Sequence, residues 1–141
     1  MRVNGIQTKA SKGLPMVSRE SVMLIEHMGL EGNYHSGGSR QVSLVASEAL
    51  EALSPLEGTG LCLEKYAANL ITEDLDYRLL RPGDRLVAGE AVLELTEVGK
   101  PCHFECALFQ KKSGCPLTTM SAFAVVVTGG LIQAGELLRL E

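Results

Sequence analysis

Turn chemistry recurs along this chain at short intervals, and it favours many short strands over long helices. Residues 81–84 read RPGD, a Pro-Gly turn. Ala88, Gly89 and Glu90 then separate two β-rich runs in RLVAGEAVLELTEV, which is a hairpin signature. The triplet AGE returns at 134–136 between LIQ and LLRL, and it predicts the same hairpin chemistry a second time. Ahead of it, AFAVVV reads as a buried strand and TGG as a turn. In the first half, MRVNGIQTKA, ESVMLIEHM, RQVSLVA and LCLEKYAANLIT all read as extended, the last with a break at its alanines.

Turns this closely spaced predict a closed or nearly closed β architecture in a single domain, residues 1–141. The period changes in SEALEALSPLEG, where Ala49, Leu50, Ala52 and Leu53 share one face of a short helix. Ser47 is a suitable N-cap, and Pro55 and Gly58 end the helix. A second short helix is placed around 105–112.

Composition limits the function classes. The net charge of -4 and a shortage of aromatic residues, with three Phe, three Tyr and no Trp, argue against nucleic-acid binding. No apolar run approaches the ~20 residues a membrane helix requires, and the N-terminus shows no signal-peptide pattern. The expected location is the cytoplasm, where Cys62, Cys102, Cys106 and Cys115 are expected to be reduced. Cys62, between leucines, reads as a small buried hydrophobe.

Three polar stretches are left over once a core is accounted for. GLEGNYHSGGSRQVSL, from Gly29 to Leu44, carries four glycines, a histidine and an arginine. Glycines let backbone N–H groups converge on an anion, and Arg40 can add a bidentate contact; the alternative is a solvated loop. In YAANLITEDLD, Asn69 sits among small and apolar residues, where it either stabilises a turn or meets a ligand. In VGKPCHFEC, Lys100 lies two residues before Cys102, on the same face of a strand, and an ammonium there favours the thiolate. His103 comes closer if the chain turns at Pro101. Such a thiol suits a sulfur nucleophile or a soft-metal ligand. A zinc site from Cys102, His103, Cys106 and Cys115 is the alternative, with spacing unlike paired zinc ligands. A Cys106–Cys115 redox pair also stays open, as does an inert, buried Cys102.

Taken in order, GLEGNYHSGGSRQVSL, ANLITEDLD, LRPGDRLVAGEAVLELTEVGKPCH and FAVVVTGGLIQAGELLRLE resemble the MOSC family. That domain is found at the C-terminus of molybdenum cofactor sulfurases and as stand-alone bacterial proteins. GKPCHFEC followed by GCP looks most like the short stand-alone members associated with molybdopterin biosynthesis proteins. The resemblance implies a mainly β fold: the MOSC-type β-barrel, similar to the small barrel domain of pyruvate kinase, with one or two short helices. It places the signature cysteine on Cys102, as a persulfide carrier or a direct molybdenum ligand, with Lys100 and His103 stabilising its charge. It places a molybdopterin-type cofactor against Gly32, His35, Ser39, Arg40, Asn69 and Thr72. It implies a sulfur donor such as a cysteine desulfurase, or a molybdopterin biosynthesis protein, and a molybdoenzyme acceptor. Pyridoxal phosphate would belong to the donor and not to this chain. A cofactor carrier without chemistry and a small molybdenum-dependent reductase are the other readings the resemblance allows. Two departures stand out: Asn33 where many relatives have Asp, and Ala68 where many have Glu, which takes a carboxylate from the expected pocket.

Overall fold

A computed structural model describes residues 1–11, 17–33, 37–48, 68–99 and 120–141. They form strands β1 (Arg2–Thr8), β2 (Val17–Arg19), β3 (Ser21–Ile25), β4 (Gly29–Leu30), β5 (Val42–Ala46) and β6 (Leu70–Glu73). β7 (Arg85–Ala88), β8 (Ala91–Val98), β9 (Ser121–Thr128), β10 (Gly130–Gln133) and β11 (Leu138–Leu140) follow. The fold is mainly β, as the turn spacing requires. Among the described residues, no helix is long and apolar enough to cross a membrane.

Eight strands make one sheet in the order β11-β7-β8-β9-β5-β6-β1-β2, and β10-β3-β4 make a second. The large sheet curls until β1 meets the chain entering β11. Val3 N–H donates to Glu136 O at 2.8 Å, Gly135 N–H to Val3 O at 2.6 Å and Leu138 N–H to Met1 O at 3.0 Å. This seam ties β1 to the chain entering β11 and draws the curled sheet toward closure, with β2 left at the sheet's edge.

The core lies inside this curl. Leu44, Leu70, Leu93, Leu95, Val126 and Ile132 are each at most 1% exposed. β5 is buried along its whole length, on both faces. That is the pattern of a central strand, and β5 is bonded to β9 on one side and β6 on the other. The β5–β6 pair is parallel, so a crossover must join the two strands. Ser47 and Glu48 begin a helical turn there. The remainder of the helix predicted from Ser47, and the second helix predicted around 105–112, lie outside the described residues.

Several turns match their sequence signals. Asp84 N–H closes RPGD onto Arg81 O at 3.0 Å, with Gly83 at φ +96°. Gly89, at φ +59°, turns the β7–β8 hairpin, in which Ala88 pairs with Ala91.

The second AGE is a correction to the sequence reading. β10 pairs with β3 and β11 pairs with β7, so residues 134–136 carry the chain between two sheets and do not form a hairpin. TGG is corrected in the same way. Thr128 belongs to β9 and Gly130 to β10. A Cβ on Gly129 would lie 2.7 Å from Leu24 O, and one on Gly130 would lie 3.0 Å from Ala91 N. These glycines let the chain slip between two backbones as it changes sheets; they do not reverse it. Gly29 and Leu30, expected in a glycine loop, form β4.

Candidate functional site

The outer face of the β6-β5-β9-β8 ladder carries a polar row. Ser43 pairs with Phe123, and Phe123 with Glu97. At the β6 end, Asn69 Oδ1 accepts from Ser43 N–H and Ser43 Oγ–H, both at 3.1 Å. Asn69 Nδ2 donates to Gln7 O at 3.1 Å. The amide therefore straps β5 to β1 across the start of β6.

At the β8 end, Arg40 Nε and Nη2 donate to Glu97 Oε2 and Oε1 at 2.6 and 2.9 Å. The guanidinium carbon lies 4.5 Å from the centre of the Phe123 ring, in cation–π contact. Thr96 Oγ donates to Ser39 O at 2.5 Å, tying the residue before Arg40 to the same strand. The Arg40 hydrogen bonds hold the Glu97 carboxyl below the usual carboxylate range, and burial opposes them.

A register shift between Leu95 and Glu97 makes this arrangement possible. Strict alternation from the buried Leu93 and Leu95 would put Glu97 inside the barrel. The bulge at Thr96 turns Glu97 onto the outer face, beside Phe123. Sequence reasoning missed Glu97 and Thr96, which the bulge redirects, and Ser43 and Phe123, which strand pairing brings beside them. LELTEV alternates only as far as Leu95; Thr96 and Glu97 are then both polar and Val98 apolar, and this break in the period is the signal that could have located the bulge.

The second feature lies where β5 and β6 end and β9 begins. A cavity of about 470 Å³ is lined by Glu48, Asp74, Leu75, Asp76, Tyr77, Arg78 and Met120. Thr72 lies beneath it, fully buried: its Oγ donates to Val45 O at 3.3 Å and lies 2.6 Å from Tyr77 Oη. Glu48 is held below the ordinary carboxylate range by hydrogen bonds from its own backbone N–H, from Ser47 and from the Asp74 backbone. Asp76 is lowered by its hydrogen bonds from Arg78.

Gly99 N–H donates to Ser121 O at 2.6 Å, and Ala46 N–H to Met120 O at 3.0 Å. The strand end that leads to Lys100, and the one the chain returns to at Met120, are thus fixed side by side, next to β5.

Of the residues expected in the site, the structure brings Ser39, Arg40 and Asn69 to one face of the ladder and puts Thr72 on the other. Gly32, at φ +82°, lines a separate cavity of about 400 Å³ with Arg19, Met23, Glu31 and Leu131. His35, Lys100, Cys102 and His103 lie outside the described residues, as do Cys62, Cys106 and Cys115. Among the described residues, no group of His, Cys, Asp and Glu is arranged to hold a metal ion.

The fit to an anionic cofactor differs between the two features. The cavity lining holds three carboxylates against Arg78, which is itself paired with Asp76 at 3.0 Å, and this does not suit a phosphate group. Arg40 does suit one, being a planar fork backed by an aromatic ring, once Glu97 gives way. Asn69 bonds to the protein's own groups and would brace such a site from the same face, whereas Thr72, on the other face, braces Val45 and Tyr77 beneath the acidic cavity.

A curled antiparallel sheet with one parallel pair, closed at β1 and carrying a polar row on its outer face, is a MOSC-type β-barrel. The MOSC domain pattern matches residues 31–138, more than half of the chain, and the chain belongs to this family. It is therefore a molybdenum-cofactor-related domain.

Solved structures agree on the fold. YuaD from Bacillus subtilis superposes with a TM-score of 0.75 at 16% identity, over 99% of this chain and 94% of that one. YiiM from Escherichia coli gives 0.63 at 22% identity, over 100% of this chain and 70% of that one. YiiM from Geobacillus stearothermophilus gives 0.67 at 18% identity, over 99% and 74%. A hypothetical protein matches at 0.71 and 20% identity, and this chain spans 66% of its length. No functionally curated protein matches the chain.

Proposed function

We propose that this chain serves the molybdenum cofactor as a sulfur carrier, with Cys102 as the thiol that bears the sulfur. The observation that carries this reading is the family match over 31–138, which spans Cys102 and the KPCH segment around it. Further support comes from position. Gly99, three residues before Cys102, is anchored to Ser121 at the same end of β8 as the Arg40–Glu97 pair.

The chemistry is that of thiol–persulfide exchange. The Cys102 thiolate attacks the terminal sulfur of a donor persulfide. A new S–S bond forms at Cys102, the donor's S–S bond breaks, and the donor leaves as a thiolate. The transferred sulfur keeps its proton, so charge and atoms balance. The positive charge of Lys100, aided by His103, favours the thiolate before the attack. The donor is a cysteine desulfurase, which brings its own pyridoxal phosphate, and the acceptor is a molybdoenzyme or a molybdopterin biosynthesis protein. Arg40, with Ser39 beside it, receives the cofactor's anionic end during the handover. His35, from the same glycine-rich stretch, completes that contact, whereas Gly32 belongs to the separate cavity with Arg19 and Glu31.

The test incubates the full chain with a cysteine desulfurase and isotopically labelled cysteine, then reads intact mass before and after reductant. Wild type gains one labelled sulfur that reductant removes. Cys102→Ser gains none, while Cys106→Ser and Cys115→Ser keep the label. Unchanged labelling of Cys102→Ser removes Cys102 from the role.

A further inference from the structure

We propose that Glu97 is an internal counter-ion that filters what Arg40 can bind: an anion gains the Nε–Nη2 edge of the guanidinium only by displacing the carboxylate, so doubly charged phosphate groups are selected over single carboxylates there. This rests on the reading that Arg40 receives the cofactor's anionic end.

Four observations carry it. First, Glu97 takes Nε and Nη2 of Arg40 together, at 2.6 and 2.9 Å. That side-on fork is the geometry in which arginine meets a phosphate or carboxylate ligand, so the Glu97 oxygens stand where ligand oxygens would go. Second, the pair is open to solvent, with side chains 52% and 38% exposed. An exposed pair is weak and can be exchanged, whereas a sealed one would be a fixture of the fold. Third, the guanidinium rests on Phe123 at 4.5 Å, and the Ser39 carbonyl is tied to Thr96. The ring and the tether keep Arg40 in place while its partner changes. Fourth, Glu97 reaches this face only through the bulge at Thr96. Its lowered pKa keeps it ionised, so the competition holds at neutral pH.

A ligand with one negative charge offers Arg40 no more than Glu97 already does. A phosphate dianion offers more, and it wins the exchange.

Calorimetric titration of the full chain with inorganic phosphate, and separately with acetate, tests the filter. Wild type binds phosphate in preference to acetate. Glu97→Gln binds phosphate about two- to fivefold more tightly and gains acetate binding, because the competing charge of an exposed pair is gone. Arg40→Gln loses both ligands. If Arg40→Gln binds phosphate as wild type does, the reading of Arg40 as an anion site fails, and the filter with it. If Arg40→Gln loses phosphate but Glu97→Gln binds it no better, the filter alone is overturned and Glu97 only positions Arg40.

A second measurement needs no variant. The Arg40 Nε–H resonance of wild type, followed by NMR, shifts as phosphate is added and stays in place with acetate. A resonance indifferent to phosphate overturns the proposal even if Glu97→Gln does not fold.

Discussion

Asn69 shows how much one amide can hold together. Its Oδ1 takes two hydrogens from Ser43, its Nδ2 gives one to Gln7 O, and its own N–H reaches Ser43 Oγ at 2.9 Å. Both Asn69 and Ser43 are buried, at 6% and 7% exposed. Asn69→Ala would leave the Ser43 amide, a buried donor, without its acceptor. The expected loss is about 2–3 kcal/mol, since each orphaned buried polar group costs roughly 1–3 kcal/mol. Urea unfolding checks this: the midpoint falls and the slope stays the same. A loss under about 0.5 kcal/mol, the range of surface substitutions, would show that the strap holds nothing. From the sequence, Asn69 stood between a turn residue and a ligand contact, because an amide among apolar neighbours announces that it needs partners without naming them. Arg40 stood out in the sequence as a cation able to make a bidentate contact, and the structure shows such a contact with Glu97. Its partner Glu97 did not stand out: the polar pair Thr96–Glu97 breaks the alternation of LELTEV and marks the bulge, but strand pairing alone decides what Glu97 then meets.

Among the elements, the strands were the most legible and their partners the least. Arg2–Thr8, Val42–Ala46, the β7–β8 hairpin and Ser121–Thr128 stand where apolar runs and turns placed them. Which strand lies beside which is decided by long-range packing, so two similar AGE triplets came out with different roles. Gly129 makes the difference testable. As a plain turn residue it would tolerate alanine. As a passage between sheets it would not, since the new Cβ would lie 2.7 Å from Leu24 O and 3.4 Å from Glu26 N, both backbone atoms that cannot rotate aside. Gly129→Ala should therefore lower stability by about 1–3 kcal/mol, the usual range for overpacking. Gly5→Ala is the control. Its Cβ would meet Ile71 at an ordinary 3.5 Å, and the change should stay within about 0.5 kcal/mol. Thermal unfolding of the two variants side by side decides: equal melting temperatures would mean that the β9–β10 passage can relax and that Gly129 is not needed there.

At the scale of the whole molecule, the barrel joins a tight half to a looser seam. β5 is buried throughout and paired on both sides, and the candidate site is built on it and on β8 and β9. The seam is thinner. One isolated bridge, Arg2 to Leu137, and a few backbone bonds join β1 to the chain before β11, and Leu137 is 74% exposed. Beyond it, β2 is exposed along its length. Local opening follows burial and pairing, so these parts should open at different free energies. Native-state hydrogen exchange can rank them. The amides of Ser43 and Ala46, bonded to Asn69 Oδ1 and Met120 O, should exchange only through global unfolding. Those of Val3 and Leu138 at the seam should exchange sooner, through an opening that leaves β5 paired. Under low denaturant, the seam amides should show little dependence on urea and the β5 amides the full dependence. If Val3 and Leu138 exchange as slowly as Ser43, the closure belongs to the global folding unit. If the order holds, the polar row and the strand end leading to Cys102 stand on the part of the barrel that stays closed while the seam breathes. The proposed function, with a thiol and a cation meeting one cofactor, calls for that rigidity.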